Sequence, residues 1–278
     1  MNKFAKSFYE NSSQYLIILF LILASFNLIA QDTDESEYIE SVTIIGSKED
    51  VKDLAGSGAV ISNEDLQKAM DTDIQKILTA VPGIYMRTEE GYGLRPNISI
   101  RGTAIERSGK VTIMEDGVLV APAPYTASSA YYFPTTGRIH AVEVLKGPAV
   151  VSQGPQTIGG AINLISTPIP KVASGKFIQE IGENGMTRTH TYYGGSQGNL
   201  GALVEIHEHA SDGFDSIANV GGDTGFDKSD LMIKANYTSG NHSLTFKRVD
   251  LDETSNQSYV GLSQASFNAN PRMRYGAT

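Results

Sequence analysis

The spacing of apolar and polar positions changes character three times along this chain. Lys3 and Lys6 precede a mostly apolar run from Tyr15 to Ile29, which ends at Ala30 before acidic, polar sequence begins. A basic start, an apolar run shorter than the ~20 residues of a spanning helix and a small residue at its end predict a secretory leader over residues 1–30. Residues 31–47 read as a polar linker holding one extended stretch, Tyr38–Gly46, with β-branched Val42, Ile44 and Ile45 and no partner strand nearby in sequence. From residue 48 helical and strand periods mix. Ser62 can cap a helix, with Asp65 three residues on and Leu66 opening its apolar face. Asp71 or Thr72 can start a second, in which Ile74, Ile77 and Leu78 repeat at helical spacing until Pro82-Gly83 stops it. Ile98 and Ile100 flank Ser99 as a short strand, Val111–Glu115 and Val118–Val120 flank the hairpin signal Asp116-Gly117, and Ala141–Leu145 and Ala161–Ile165 read as further strands. These elements predict a compact α+β domain over residues 48–168.

Beyond Pro170 no convincing helix remains, and strands of about ten residues alternate with turns. They are expected near 175–182, 187–195, 200–210, 228–239 and 242–252. The clearest sets Leu231, Ile233, Ala235 and Tyr237 on one face and Lys234, Asn236 and Thr238 on the other. Such alternation suits a soluble sandwich as well as a barrel. The connections separate the two: Ser196–Asn199 and Gly240-Asn241 are short, whereas Ser211–Asp227 and the sequence after Asp252 are long and polar, and both long ones fall on the same side. That parity is the habit of outer-membrane barrels, with short periplasmic turns and long outer loops; the short connection around Glu183–Gly185 fits it less well. Residues 172–278 are therefore expected to be the first strands of an antiparallel transmembrane β-barrel. Five strands alone would leave an unpaired edge in lipid, so further strands are expected to complete it.

Composition narrows the chemistry. A net charge of −9 over 278 residues argues against a nucleic-acid partner, which requires clustered Lys and Arg. With no cysteine, disulfides, thiolate nucleophiles and Cys-ligated metals do not arise. Ser, His and Asp occur, but no nucleophile elbow or zincin helix motif brings them together, so no catalytic residues are assigned. Glu205, His207 and His209 share one strand face; a water-lined lumen accounts for them without a metal. Gly159-Gly160 lacks the Gly-Lys-Ser/Thr of a phosphate loop and leads directly into a strand.

Three stretches, Asn97-Ile-Ser-Ile-Arg-Gly102, Met114-Glu-Asp-Gly117 and Val142-Glu-Val-Leu-Lys-Gly-Pro148 continuing through Gly154–Ile165, together resemble the plug of TonB-dependent outer-membrane receptors. Ala123-Pro124-Tyr125, Gly154-Pro155-Gln156, Pro168-Ile169-Pro170, Asp212-Gly213-Phe214 and Gly261–Ala265 are similar to the ferric dicitrate and siderophore branch of that family. The resemblance implies a stopper inside a wide barrel, one of about 22 strands needing such a plug. It also implies an outer-membrane location, TonB with its inner-membrane motor proteins as partners, and a ferric chelate as transported ligand rather than a cofactor.

Ser41, Val42, Thr43, Ile44, Ile45 and Gly46 resemble a TonB box, a segment able to add to another protein's sheet edge. By the same resemblance the loops around Arg87–Asn97 and Ala121–Tyr132 form the floor of the ligand site. Arg87 and Arg95 can contact an anionic chelate through charge-assisted bonds, Tyr92 and Tyr125 offer flat faces, and Thr126, Ser128 and Ser129 offer hydroxyls. Glu89 and Glu90 would repel such an anion. Arg101 and Lys146 look like the plug cations that pair with carboxylates on the barrel wall, since a buried charge needs a partner.

Overall fold

A computed structural model of the chain describes residues 38–39, 42–70, 72–89, 91–120, 126–154, 157–218, 221–256 and 260–276. The expected leader, Ser41 and Tyr125 lie outside these residues. In chain order the strands are β1 (Ser57–Ile61), β2 (Ile84–Arg87), β3 (Asn97–Ile100), β4 (Val111–Glu115), β5 (Val118–Leu119), β6 (Ile139–Lys146), β7 (Gly160–Ser166), β8 (Ser174–Ile181), β9 (Thr187–Gln197), β10 (Leu200–Ser211), β11 (Ser216–Ile217), β12 (Phe226–Ser239), β13 (His242–Ser255) and β14 (Met273–Arg274). The helices are α1 (Asn63–Ala69), α2 (Ile74–Thr79) and α3 (Gln264–Ala269).

The first half is built on a mixed sheet in the order β1-β6-β7-β4-β5, antiparallel except where β4 runs parallel to β7. β7 lies at its centre and every residue of it is buried, the outcome expected of an apolar run covered on both faces. Val142, Val144, Ile162, Leu164, Val111 and Ile113 pack with Ile74, Ile77 and Leu78 of α2 in the main core. Each such fully buried side chain contributes about 1.5–3 kcal/mol. A smaller core of Met114, Leu145, Val150 and Ala161 is covered by Ile44 and Ile45 from the segment before the domain.

Local signals explain the element ends. Ser62 and Asp65 form a reciprocal capping box at the start of α1. α2 begins after Thr72: the carboxylate of Asp73 accepts the Gln75 N–H at 2.8 Å, and Asp71, the other expected start, lies outside the described residues. The β4–β5 turn places Asp116 at φ 50° and Gly117 at φ 75°, the double positive φ of a tight hairpin turn.

The second half is an open antiparallel sheet in the order β13-β12-β10-β9-β8. Its strands fall within three residues of the expected ends, and the register Leu231↔Asp250, Ile233↔Arg248 and Ala235↔Phe246 keeps one side outward. The inward side meets the first half through Asp230, Met232 and Lys234, all buried. The expectation of no helix beyond Pro170 needs correction: Ser263 caps α3 by accepting the Ser266 N–H at 3.2 Å. The long connection after β10 also forms β11, which pairs in parallel with β14.

Candidate functional site

The two halves meet through buried charge. Arg138, in a short turn leading into β6, is 1% exposed. Its Nε donates to Asp230 of β12 at 2.9 Å, and its Nη1 donates to Glu115 at the end of β4 at 2.6 Å. From the wall, Lys247 of β13 donates to Glu115 at 2.5 Å and to Asp116 at 2.6 Å. Lys234 stands 3.4 Å from Asp116 and donates to the Thr167 carbonyl at 3.0 Å. Asp116 also accepts from the Ser166 N–H, so the tip of the hairpin is held by both halves.

Burial alone would push the Glu115 and Asp116 carboxyls up. The cations beside them, Arg138 and Lys247 for Glu115, Lys234 and Lys247 for Asp116, outweigh it and hold both below the usual carboxylate range. Burial likewise opposes the Arg138 charge, and Glu115 and Asp230 overcome it.

Next to this cluster Thr167 donates to Glu205 at 2.7 Å, and Glu205 pairs with His190 Nε2 at 2.7 Å. His207 and His209 face inward with Glu205, as their alternation predicts. The His207 ring lies against Gly137, where a Cβ would come 2.1 Å from Nε2. Gly137→Ala is therefore expected to destabilise the docked arrangement by about 1–3 kcal/mol, because the His207 ring is buried and cannot retreat. A urea titration of the intact protein in detergent measures this. Among the described residues no group of three or more His, Asp or Glu is arranged to hold a metal ion.

The end with long connections carries a second set of contacts. Tyr92 lies against Phe214 and Phe226, with centroids 5.7 and 4.6 Å away, and its hydroxyl is 2.9 Å from Ser211 Oγ. Arg95 pairs with Glu253 of β13 at 2.5 Å. Arg87 is exposed and pairs with Glu89 and Glu106 at 3.3 and 3.1 Å. Toward the short-turn end, Ile39 reaches Gly201 beside the β9–β10 turn and donates its N–H to Ile169. Residues 44–46 curl over the sheet, and their N–H groups converge on Glu143 of β6.

Residues 50–161 match the TonB-dependent receptor plug domain family. Over that range the chain is similar to the plug of a TonB-dependent receptor. It is 24% identical over 216 residues to the vitamin B12 transporter BtuB of Photobacterium profundum, covering 75% of this chain and 34% of that protein. It is 30% identical over 151 residues to an iron-regulated outer membrane virulence protein of Vibrio cholerae, covering 52% of this chain and 22% of that one. The fold resembles the unliganded ferric citrate transporter FecA, with TM-score 0.70 at 23% identity over 86% of this chain and 37% of FecA. It also resembles the ferric yersiniabactin uptake receptor FyuA of Yersinia pestis, with TM-score 0.61 at 21% identity over 73% of this chain and 32% of that one. The chain thus spans about a third or less of the length of these relatives.

With the plug and wall in view, several expected site residues are reassigned. Arg101 and Lys146 do not pair with wall carboxylates among the described residues. Strand β6 places Lys146 opposite Ser57 of β1, away from the wall, where its ammonium donates to the Pro82 carbonyl at 2.9 Å. Burial and the nearby Arg101 cation push Lys146 down from the ordinary lysine range. Arg101 is exposed and donates to Ser57 Oγ at 2.9 Å. Ser128 and Ser129 are 4% and 1% exposed, so they do not offer hydroxyls to a ligand. Ser128 donates to the Val111 carbonyl at 3.0 Å, and Ser129 donates to the Pro96 carbonyl and lies against Ser108. Both fasten a loop to the plug interior. Thr126, Arg87, Tyr92 and Arg95 remain at the long-connection end, Thr126 and Arg87 exposed and the other two half-buried.

Arg138 escaped the sequence reading, as did the wall residues Asp230, Lys234 and Lys247 in their pairing role. The available signals were an Arg directly before the apolar strand Ile139–Lys146 and charged residues on the inward face of wall strands, where a lumen filled by protein would require partners.

Proposed function

We propose that this protein serves active import across the bacterial outer membrane, binding a scarce ferric chelate such as iron(III) dicitrate or a siderophore from outside and releasing it inward when TonB pulls on the plug. The observation that carries this reading is a plug docked by buried ion pairs against an antiparallel wall, with a segment ahead of it curled over the plug sheet. A static pore has no use for such a stopper, whereas a transporter driven from the other membrane needs one that is held firmly and can be displaced. The iron-regulated Vibrio protein and the ferric citrate and yersiniabactin receptors favour a ferric chelate.

Residues 41–46 are the coupling segment in this reading, and the ligand meets the plug near Arg87, Tyr92, Arg95, Tyr125 and Thr126. A cavity of about 570 Å³ lies beside that region, lined by Arg87, Glu89, Gln264, Phe267 and Arg274. Deleting residues 41–46 is expected to abolish uptake of iron-55 citrate by iron-starved cells while surface binding persists. Uptake at the normal rate after that deletion rejects the coupling role. The Photobacterium relative favours a second cargo of the same receptor class, cobalamin. Equilibrium binding of ferric citrate and of cyanocobalamin to the intact protein decides between them. Binding of neither points to a siderophore or another nutrient as cargo, and an intact protein that supports uptake of none of these is read as a non-transporting outer-membrane adhesin.

A further inference from the structure

Two cations converge on one carboxylate at the long-connection end of the plug. Arg87 Nη2 donates to Glu89 Oε1 at 3.3 Å, and Arg107 Nη1 donates to Glu89 Oε2 at 2.6 Å. The guanidinium groups come from different elements, Arg87 from the last position of β2 and Arg107 from the turn after β3. Glu106 pairs with Arg87 at 3.1 Å and is largely exposed. Glu89 is the more enclosed of the two acids, with 19% of its side chain exposed.

Buried groups fix the spacing of the two arginines. Arg107 and Ser108 are consecutive non-glycine residues at φ 50° and 55°, the left-handed region that a Cβ disfavours. Asn97, fully buried, holds them there: its Oδ1 accepts the Arg107 N–H at 2.8 Å, and its Nδ2 lies 3.4 Å from the Arg87 carbonyl. The Ser108 hydroxyl, also fully buried, accepts the Ile98 N–H at 3.0 Å and donates to the Pro96 carbonyl at 2.9 Å. Backbone strain kept in place by its surroundings in this way is concentrated at binding and switch sites. Two guanidinium groups set this close repel each other unless an anion lies between them, and a planar carboxylate is the group their forks match. Here that anion is internal. Glu89 and Arg87 line the cavity described above, and Arg87 and Arg107 keep 45% and 33% of their side chains exposed, so solvent reaches both.

We propose that Arg87 and Arg107 form a seat for a carboxylate of the cargo and that Glu89 is its internal competitor, filling the seat until an anionic chelate displaces it. Glu89 then does more than repel an anion, since it stands where one would sit. A tethered group acts at an effective concentration in the millimolar range. Simple monoanions in the medium therefore fail to exchange with it, whereas a polycarboxylate chelate that makes further contacts in the cavity succeeds. Glu89 is thus a specificity determinant that selects for several carboxylates on one cargo. The cargo in this proposal rests on the ferric-chelate reading above, while the seat itself does not.

The test uses the intact protein in isolated outer membranes. The sequence holds no cysteine, so Thr88→Cys, at an exposed position beside the seat, accepts a single environment-sensitive fluorophore. Ferric citrate, iron-free citrate, acetate and cyanocobalamin are titrated in turn. In Glu89→Gln the apparent Kd for citrate, with or without iron, is expected to fall about tenfold as the open seat becomes the majority state. Acetate should begin to bind, and the affinity for cyanocobalamin, which carries no carboxylate, should not change. Adding Arg107→Gln should cancel the gain, a result that an ion pair with a purely structural role does not predict. Glu89→Ala, which removes the carboxylate without supplying an amide, should move citrate in the same direction even if Glu89→Gln rearranges the loop. Unchanged hydrogen exchange at the β3 amides identifies an intact plug. Citrate binding that is absent, unchanged or weaker in both Glu89 variants overturns the proposal, as does an equal shift for cyanocobalamin. Tightened citrate binding in a protein whose wild type takes up no ferric citrate keeps the seat and rejects ferric citrate as the cargo.

Discussion

Replacing Arg138 by Met is expected to weaken the hold of the plug on the wall by about 3–5 kcal/mol, the largest effect of any single change considered. Desolvation dictates that scale. Arg138 lies between Glu115 and Asp230, and all three are buried. Met fills similar volume but leaves Asp230 without its Arg138 ion pair and Glu115 with Lys247 alone. Removing one partner of a buried pair costs more than the pair was worth, because the charge left behind has lost its water as well. Such a loss is a large fraction of the ~5–15 kcal/mol that holds a typical domain together. The measurement is a urea titration of the intact protein in detergent, with hydrogen exchange at the β4 and β6 amides reporting plug release. Adding Asp230→Asn to Arg138→Met removes one stranded charge and should recover part of the loss. No recovery would mean that the Arg138–Asp230 contact carries no charge interaction across the interface.

The same residues explain how much of this molecule is readable from its sequence. Wall strands declare themselves because lipid and lumen impose a strict period of two, so β12 and β13 could be bounded closely from alternation and short turns alone. The Ser62 capping box and the Asp116-Gly117 turn are equally local, each a few residues acting on their own backbone. Functional contacts are not local. Ser128 and Ser129 look like surface hydroxyls until β3 and β4 close over them, and Arg101 and Lys146 look like wall contacts until β6 pairs with β1. Arg138 meets Asp230 across 92 residues, and Glu143 meets Ile44 across 99. No periodicity encodes those distances. What the sequence does carry is the requirement that a charge placed within an apolar strand find partners, and Glu143 in Val142-Glu143-Val144 states it plainly.

Acidification should loosen the plug in two stages, the first set in part by His140. This imidazole, half-buried on β6 and edge-on to Tyr38 with centroids 5.3 Å apart, is pushed down from 6.5 to about 4 by burial, with the Lys234 and Lys176 cations adding to the effect. The unfolded plug therefore binds a proton near pH 6.5 that the folded plug refuses until about pH 4. Between those values the unfolded state holds more protons, so stability falls as pH falls, by up to about 3 kcal/mol from a shift of that size. Above pH 6.5 His140 has no effect. Glu115 and Asp116 act later and with the usual sign for carboxylates: their folded values lie below 4.5 and 3.8, so their stabilisation is complete above that range and is lost as pH falls through the folded values. Urea midpoints at pH 7.5, 5 and 3 should therefore show one drop between the first two and a second below pH 4. His140→Gln, which cannot take up a proton, should shrink the first drop and keep the second, because the enclosed wall imidazoles His207 and His209 remain. A first drop of unchanged size after this substitution means that His140 takes no part in the mild-acid response.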